Sequence, residues 1–147
     1  MNNSIILKKP SIKDKIHTIR NLQVILDEDL AIFYNVPTKR LNEQVKRNMQ
    51  RFPERYMFQL TAQESSDLKS QIATSRWGGR RKLPYAFTEQ GVAMLSGVLK
   101  SRTAIYVSVQ IIDAFVVMRK FIADNADIFS RFDKEIINVL KRLDITF

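Results

Sequence analysis

Residues 27–48 read DEDLAIFYNVPTKRLNEQVKRN, and the interpretation of the whole chain starts from this stretch. Asp27 can cap a first helix, and the acids in its first turn are favoured there by the helix dipole. The Asn-Val-Pro sequence in the middle of the stretch is a turn signal. After it, Leu41, Val45 and Met49 recur at four-residue spacing, which predicts a second helix with one buried stripe. Two short helices joined by a tight turn form the helix-turn-helix arrangement.

The outer surface of the second helix carries long polar and basic side chains. The major groove of B-DNA admits such a helix, and there Arg and Lys can read guanine while Asn and Gln can read adenine. Basic surface helices are common, so this pattern alone is a weak indication of DNA binding. The predicted groove-facing residues are Lys39, Arg40, Asn42, Lys46 and Arg47.

Two further cations, Arg51 and Arg55, follow this helix on either side of Pro53, which ends the helical region. They could contact phosphates at the end of the helix. They could equally pair with Glu54 and with the acids near Asp27. The sequence leaves both interpretations open.

A basic, glycine-tipped hairpin is predicted further along the chain. Residues 56–60 read as a short buried strand, residues 61–64 form a capping box that starts a helix, and residues 84–87 read as a return strand. A basic hairpin after a helix-turn-helix is typical of a DNA-binding wing. Trp77 within it either stacks on a base or anchors the hairpin on the core, and the anchor is favoured because tryptophan is rarely fully exposed. The wing cations expected to grip phosphates or the minor groove are Arg76, Arg80, Arg81 and Lys82.

The last third of the chain is helical in pattern. Residues 88–91 cap one helix, and residues 104–122 carry two apolar stripes, as in a helix that is central to the core or shared with another subunit. From residue 126 onwards, apolar residues follow a 3-4-3-4 spacing for about two heptads of a coiled-coil seam. We expect a homodimer through this segment, with packing of the helix on its own domain as the alternative. The seam residues are Phe129, Phe132, Ile136, Val139 and Leu143.

These patterns predict an α+β fold with a helix-turn-helix-like pair, a small antiparallel sheet bearing a basic wing, and long C-terminal helices. Residues 1–15 are expected to be a flexible basic arm and residues 16–123 a DNA-binding domain. Residues 124–147 are expected to be a helical linker or oligomerisation segment, and the chain stops without a helix stop signal, as a truncated longer protein would. A length of 147 residues also fits one domain.

The composition indicates the kind of binding partner and excludes several kinds of functional site. The chain has 24 Lys and Arg against 15 Asp and Glu, a formal net charge of +9, and residues 1–20, 38–55 and 76–82 each carry a net +4. A polyanion is therefore the default partner. The absence of Cys and the single His17 exclude a disulfide scaffold, a Cys-based zinc site and a thiol nucleophile. No apolar run approaches the roughly 18 residues that span a membrane, and residues 1–10 contain no apolar run of the length expected for a signal peptide, so a cytoplasmic location is expected.

Motifs for catalysis are nearly absent. Phosphate-binding loops, dinucleotide-binding turns, zinc-protease helices and nucleophile elbows do not occur. Asp67-Leu-Lys69 fits a short pattern of some metal-dependent nucleases, but it falls in a predicted helix, where a solvated surface is the simpler explanation. First-turn acids of a capped helix explain the cluster at residues 27–29. We therefore expect no catalytic residue, no metal, no cofactor and no enzymatic activity.

Five ordered motifs identify a family. They are VILDEDLA at 24–31, TKRLNEQVKRN at 38–48, RFP at 51–53, FQLT at 58–61 and YAFTEQGVAML at 85–95. Together they closely resemble the Orf-six-N-terminal domain, a DNA-binding domain of phage antirepressors and related prophage proteins that is akin to the KilA-N and Bro-N domains. The resemblance covers roughly residues 16–121. It implies a sequence-specific DNA-binding regulator, often encoded by phages or mobile elements, in which a variable module follows the N-terminal domain.

The resulting hypothesis is a non-enzymatic, antirepressor-like regulator that binds specific sites in double-stranded DNA. The resemblance supplies no contact residues, so the predicted contacts rest on charge and helix pattern. A first alternative is a protein-interaction module whose basic surface meets a repressor or another regulator. An RNA-binding sheet would need exposed aromatic side chains, whereas Tyr56, Phe58, Tyr85 and Phe87 alternate as core residues do. A nuclease is disfavoured by the motif search.

Overall fold

A computed structural model describes residues 11–72, residues 82–127 and Arg131, and it confirms the predicted α+β class. No helix within these residues is long and apolar enough to cross a membrane. Short 3-10 helices occur at Ile12–Lys15 and Met49–Arg51. The strands are β1 (His17–Ile19), β2 (Leu22–Leu26), β3 (Met57–Gln59) and β4 (Tyr85–Phe87). The helices are α1 (Asp27–Tyr34), α2 (Thr38–Arg47), α3 (Ala62–Ile72), α4 (Glu89–Leu99) and α5 (Arg102–Asp124).

The strands form one antiparallel sheet in the order β1-β2-β4-β3. β1 and β2 form a tight hairpin, because Ile19 pairs with Leu22 and only Arg20 and Asn21 lie between them. Both loop residues have positive φ, 56° and 62°. Such a turn has the twist that a two-residue hairpin requires, and asparagine adopts this conformation readily.

Helices cover both faces of the sheet. Ile25 and Phe87 contribute to a large core cluster that also contains residues of α1, α2, α4 and α5. Their strand neighbours Leu26 and Ala86 belong to a second cluster, together with Leu68 of α3. This alternation follows the two-residue period of a strand. The sheet therefore lies between α3 on one face and the other four helices on the opposite face.

The chain divides into two compact units, residues 1–115 and residues 116–147. The first unit contains the sheet and both clusters. Within it, Ile12 packs against the large cluster, and Lys15 Nζ lies 4.0 Å from Asp29 Oδ1. Residues 12–15, which we predicted to be part of a flexible arm, thus form a 3-10 helix against the core because Ile12 has an apolar partner. Residues 1–10 lie outside the described residues.

α1 begins one residue earlier than the predicted cap implies. Leu26 occupies the N-cap position without a side-chain cap, and Asp27 is the first helical residue. Its Oδ1 accepts a hydrogen bond from Glu28 N at 2.8 Å, so the carboxylate still satisfies a backbone donor of the first turn. α1 ends at Asn35, which adopts the left-handed conformation (φ 59°) typical of a helix C-cap. A buried hydrogen bond of 2.6 Å between the hydroxyls of Tyr34 and Ser108 joins α1 to α5.

The buried stripe of α2 is shorter than predicted. Leu41 and Val45 are buried as expected, but Met49 is 49% exposed. α2 ends at Arg47, and the 3-10 helix that follows has a different periodicity, so the four-residue spacing no longer keeps Met49 on the same face. Two residues therefore supply the buried apolar stripe of α2.

The carbonyl oxygen of Tyr56 holds the start of α4. Thr88 N donates to it at 2.9 Å and Thr88 Oγ1 donates to it at 3.1 Å. Thr88 Oγ1 also accepts from Gly91 N at 3.3 Å, which confirms the predicted cap. A Cβ atom built on Gly91 would collide with the Tyr56 carbonyl oxygen, so this approach requires glycine.

Arg20 joins the β1–β2 turn to α3. Its guanidinium donates to both carboxylate oxygens of Glu64, at 2.8 and 3.0 Å, and lies 4.1 Å from the centre of the Phe58 ring. Glu64 Oε1 also accepts from Thr61 N at 2.8 Å, and Thr61 Oγ1 accepts from Glu64 N at 3.1 Å, which confirms the capping box. The hydrogen bonds from Arg20 lower the pKa of Glu64 to about 2.

Gly91→Ala is expected to destabilise the fold by about 1–3 kcal/mol, because the added methyl group forces α4 away from the Tyr56 carbonyl. Gly97→Ala in the same helix is the matched control. A Cβ there would meet nothing nearer than Arg51 Nη1 at 3.8 Å. We therefore expect this substitution to leave the free energy of unfolding unchanged or to raise it by up to about 1 kcal/mol. Urea unfolding measures both. Equal effects of the two substitutions would contradict the proposed close approach.

The Arg20–Glu64 pair predicts a specific pH dependence. The folded-state pKa of Glu64 lies below its ordinary value. The pair therefore contributes fully to the free energy of unfolding above about pH 4.5, and this contribution is lost as the pH falls towards 2. Glu64→Gln keeps the capping box but removes the charge. The difference in unfolding free energy between the wild type and this variant should therefore shrink from pH 5.5 to pH 2. A difference that is constant over this range would show that the ion pair has no role.

Candidate nucleic-acid interface

The outer surface of α2 carries four exposed cations. Lys39 and Lys46 form one row and Arg40 and Arg47 the next, because residues seven apart in a helix lie on the same side. Within the described part of the chain, none of these four side chains makes a hydrogen bond or an ion pair. Glu43 is exposed between the two rows. The structure thus brings four of the five residues predicted for this helix together on one accessible face.

Asn42, the fifth, is placed differently. It is half-buried at the edge of α2, and its Nδ2 donates to Oδ2 of the fully buried Asp27 at 3.0 Å. Its Oδ1 is buried and has no hydrogen-bond partner among the described residues. The amide group is therefore engaged in joining α2 to α1, and we no longer include Asn42 among the residues that face outward.

Arg51 and Arg55 are exposed beyond the C-terminal end of α2. Arg51 reaches α4, since a Cβ built on Gly97 would lie 3.8 Å from its Nη1. The guanidinium of Arg55 lies 5.2 Å from the centre of the Tyr56 ring. Among the described residues neither arginine forms an ion pair with an acid, so the pairing that the sequence left open is not observed.

The predicted wing and seam fall largely on residues that the structure does not describe. Lys82 is exposed just before β4. Trp77 lies outside the described residues, as do the wing cations Arg76, Arg80 and Arg81 and the seam residues Phe129, Phe132, Ile136, Val139 and Leu143. These assignments remain predictions.

Two exposed cations that the sequence analysis did not select also lie beside α2. Lys100 and Arg102 flank Ser101 in the turn between α4 and α5. A cavity of about 200 Å³ is lined by Ser101 on this side and by Arg40 and Gln44 of α2 on the other. The basic surface therefore continues from α2 to the α4–α5 turn.

The sequence does contain a signal for this turn, but a weak one. Two bases occur within three residues at a helix boundary, yet residues 83–123 as a whole carry a net charge of only +2. The net charge of the whole segment therefore does not reveal this local pair of bases. Its position beside α2 depends on the packing of α4 against α2, which no local pattern reveals.

Comparison with known proteins gives one family. The model described as the ORF6N domain matches residues 14–98, more than half of the chain. The match begins in the 3-10 helix before β1 and ends in the last turn of α4. It confirms the resemblance drawn from the sequence motifs. The searches of curated proteins and of solved structures returned no match.

Asn42→Ala should lower the free energy of unfolding by about 1–3 kcal/mol, because a fully buried carboxylate loses one of its donors. Gln50→Ala, at an exposed position just beyond α2, is the control and should change stability by less than about 0.5 kcal/mol. Chemical denaturation of the three proteins tests this expectation. If Asn42→Ala were as mild as the control, the Asn42–Asp27 hydrogen bond could not be what fixes α2 against α1.

Proposed function

This chain belongs to the ORF6N domain family, and from that membership we propose that it is a sequence-specific double-stranded DNA-binding protein. We propose further that it is a non-enzymatic regulator of the phage antirepressor type, acting in the cytoplasm. The observation that carries the proposal is the group of four exposed cations on α2 that have no ionic partner within the described residues. Unpaired cations on one rigid helix attract a polyanion and can be held at fixed positions against it.

The recognition step places α2 in the major groove. An α-helix with its side chains is about 10–12 Å across, and the groove is about 12 Å wide. Arg47 can donate two hydrogen bonds to guanine O6 and N7, and Arg40, Lys39 and Lys46 can reach guanine or phosphate. Glu43, at the centre of the face, can accept from the amino group of cytosine. Asn42 positions α2 in this scheme and makes no base contact.

The flanking cations would hold the duplex in register. Arg51, Arg55 and Lys82 are exposed, and in this proposal they contact phosphates, as Arg76, Arg80 and Arg81 would from the predicted wing. Contacts to phosphates position a protein on DNA, while base contacts specify the site. A homodimer through the predicted C-terminal seam would read two half-sites, one on each subunit.

The competing function is a protein-interaction module that binds a repressor or another regulator. One observation favours it: Ile105, Tyr106 and Val109 on α5 are 52%, 66% and 53% exposed. Apolar residues on an exposed helix face often contact another protein. An RNA-binding sheet has less support, because Phe58 and Phe87 are buried and helices cover both sheet faces.

Selection from a random pool of duplexes should enrich a defined site. If six to ten phosphates are contacted, affinity for that site should fall about 10³–10⁵-fold between 50 and 200 mM salt. Failure to enrich any sequence, or tight binding that salt does not weaken, would contradict the proposed DNA recognition. The interaction-module alternative predicts no enrichment.

Two substitutions on α2 test whether this helix contacts DNA, because their expected effects on binding are opposite. Lys46→Gln should weaken binding and reduce the salt slope by about 0.9 if Lys46 meets a phosphate. Glu43→Gln, between the same cations, should strengthen binding to non-selected duplexes because it removes a negative charge from the interface. If both variants bound every duplex as the wild type does, α2 would not be the recognition element.

A further inference from the structure

We propose that the α4–α5 turn, residues 100–102, is a phosphate-binding element that holds the DNA backbone beside α2. The ligand is a backbone phosphate of the bound duplex, received between Arg40 and Gln44 of α2 and Ser101 of the turn. This inference rests on the proposed DNA binding and adds to it a contact element that lies outside the predicted helix and wing.

The cavity between the two elements has hydrogen-bond donors on both sides. Its volume is about 200 Å³, larger than one phosphate group, and Arg40, Gln44 and Ser101 are its polar or charged lining residues apart from Tyr34. The other lining residues are apolar: Val36, Leu41, Val98, Leu99 and Ala104. Ser101 Oγ accepts from Ala104 N at 3.0 Å, so its hydroxyl hydrogen is left to donate to an anion. Within the described residues the side chains of Arg40 and Gln44 have no hydrogen-bond partner. Three donors thus border a space that an oxyanion would fill.

The α4–α5 turn and its neighbours in the sequence carry positive charge only. Lys100 and Arg102 are exposed on the turn, and the guanidinium of Arg51 lies beside Gly97 of α4 on the same side of the molecule. No acidic residue occurs between residues 90 and 112, the stretch that contains this turn. An anion that approaches the turn therefore meets only positive charge from this stretch.

The opposite edge of α2 is different. There Asn42 contacts Asp27, and the first turn of α1 consists of three acids. A helix that fills the major groove lies close to both phosphate strands. At this edge α2 packs against α1, whose acids Asp27 and Asp29 are buried, whereas at the edge with Arg40 the exposed cations of the α4–α5 turn are added to those of α2. The duplex should therefore be held most firmly on the side of the α4–α5 turn.

Lys100 itself shows an unusual backbone conformation. It occupies the C-cap of α4 with φ 52° and ψ 27°, in the left-handed region where glycine is the usual residue. A lysine there is strained relative to glycine and does not improve the cap. Lys100 lies between Leu99 and Ser101, which line the cavity, and its side chain gives the position a positive charge that glycine could not provide.

The test uses the whole chain and a labelled duplex recovered by the selection experiment. Lys100→Gly and Arg102→Gln remove one cation each. Lys69→Gln is the control, because this exposed lysine lies on α3, on the other face of the sheet. Affinity and its salt dependence are measured between 50 and 200 mM salt, together with the melting temperature of each variant.

Each turn variant should weaken binding roughly tenfold and make the log–log salt slope less steep by about 0.9, with the preferred sequence unchanged. Lys69→Gln should bind as the wild type does. Lys100→Gly should melt at the same temperature as the wild type or higher, since glycine relieves the strained cap. Loss of affinity without loss of stability would separate phosphate binding from a structural role.

The inference is overturned if the wild type binds the duplex and both turn variants match Lys69→Gln in affinity and slope. If Lys100→Gly melts at a lower temperature, Arg102→Gln decides the outcome, because it changes only an exposed side chain in the first turn of α5. If the wild type binds no duplex at any salt concentration, the proposed function fails, and this inference fails with it.

Discussion

Most of the first unit depends on the contacts that the carbonyl oxygen of Tyr56 makes with the start of α4. It accepts from Thr88 N and Thr88 Oγ1, and Gly91 lets the first turn of α4 approach it without a side chain between them. β4 ends one residue before Thr88, so this contact fixes where the sheet stops and where α4 starts. α4 in turn packs against α2 and carries the α4–α5 turn. A backbone contact therefore helps to set where the α4–α5 turn lies against α2.

Apolar packing alone does not fix the rotation of α2 about its axis. Leu41 and Val45 are its buried apolar residues, and two residues one turn apart form a narrow contact. The hydrogen bond from Asn42 to the buried Asp27 supplies a second constraint at the edge of the helix. Because a buried carboxylate is destabilised by the loss of a hydrogen-bond donor, rotations that break this bond are disfavoured. A polar pair thus determines which side chains of α2 face outward.

Local chemistry predicted the elements well. The capping box at residues 61–64 and the Thr88 cap are short-range signals, because the residues that satisfy each other are close in sequence. Contacts between residues far apart in the sequence were not predicted. Asn42 looked like an outward polar residue because nothing in its neighbourhood of the sequence reveals Asp27, 15 positions away.

The same limit applies to the candidate interface. Charge pattern alone selected α2 correctly as an exposed basic face, since alternation of apolar and basic residues is a local property. It could not select Lys100 and Arg102, which lie beside α2 only because α4 packs against it. Met49 was wrongly predicted to be buried for a different reason. Its spacing fits a continuous helix, but α2 ends at Arg47, before it reaches Met49.

The cations that form ion pairs within the fold are different from the cations proposed to bind DNA. In the described part of the chain, the ion pairs of Lys15 with Asp29 and of Arg20 with Glu64 both join the N-terminal segment to other elements of the core. The cations of α2 lie together without such partners, although their mutual repulsion opposes folding. A surface selected for stability alone would intersperse acids among them. In this fold one acid, Glu43, lies among four cations, which leaves most of their charge to a partner that arrives from outside.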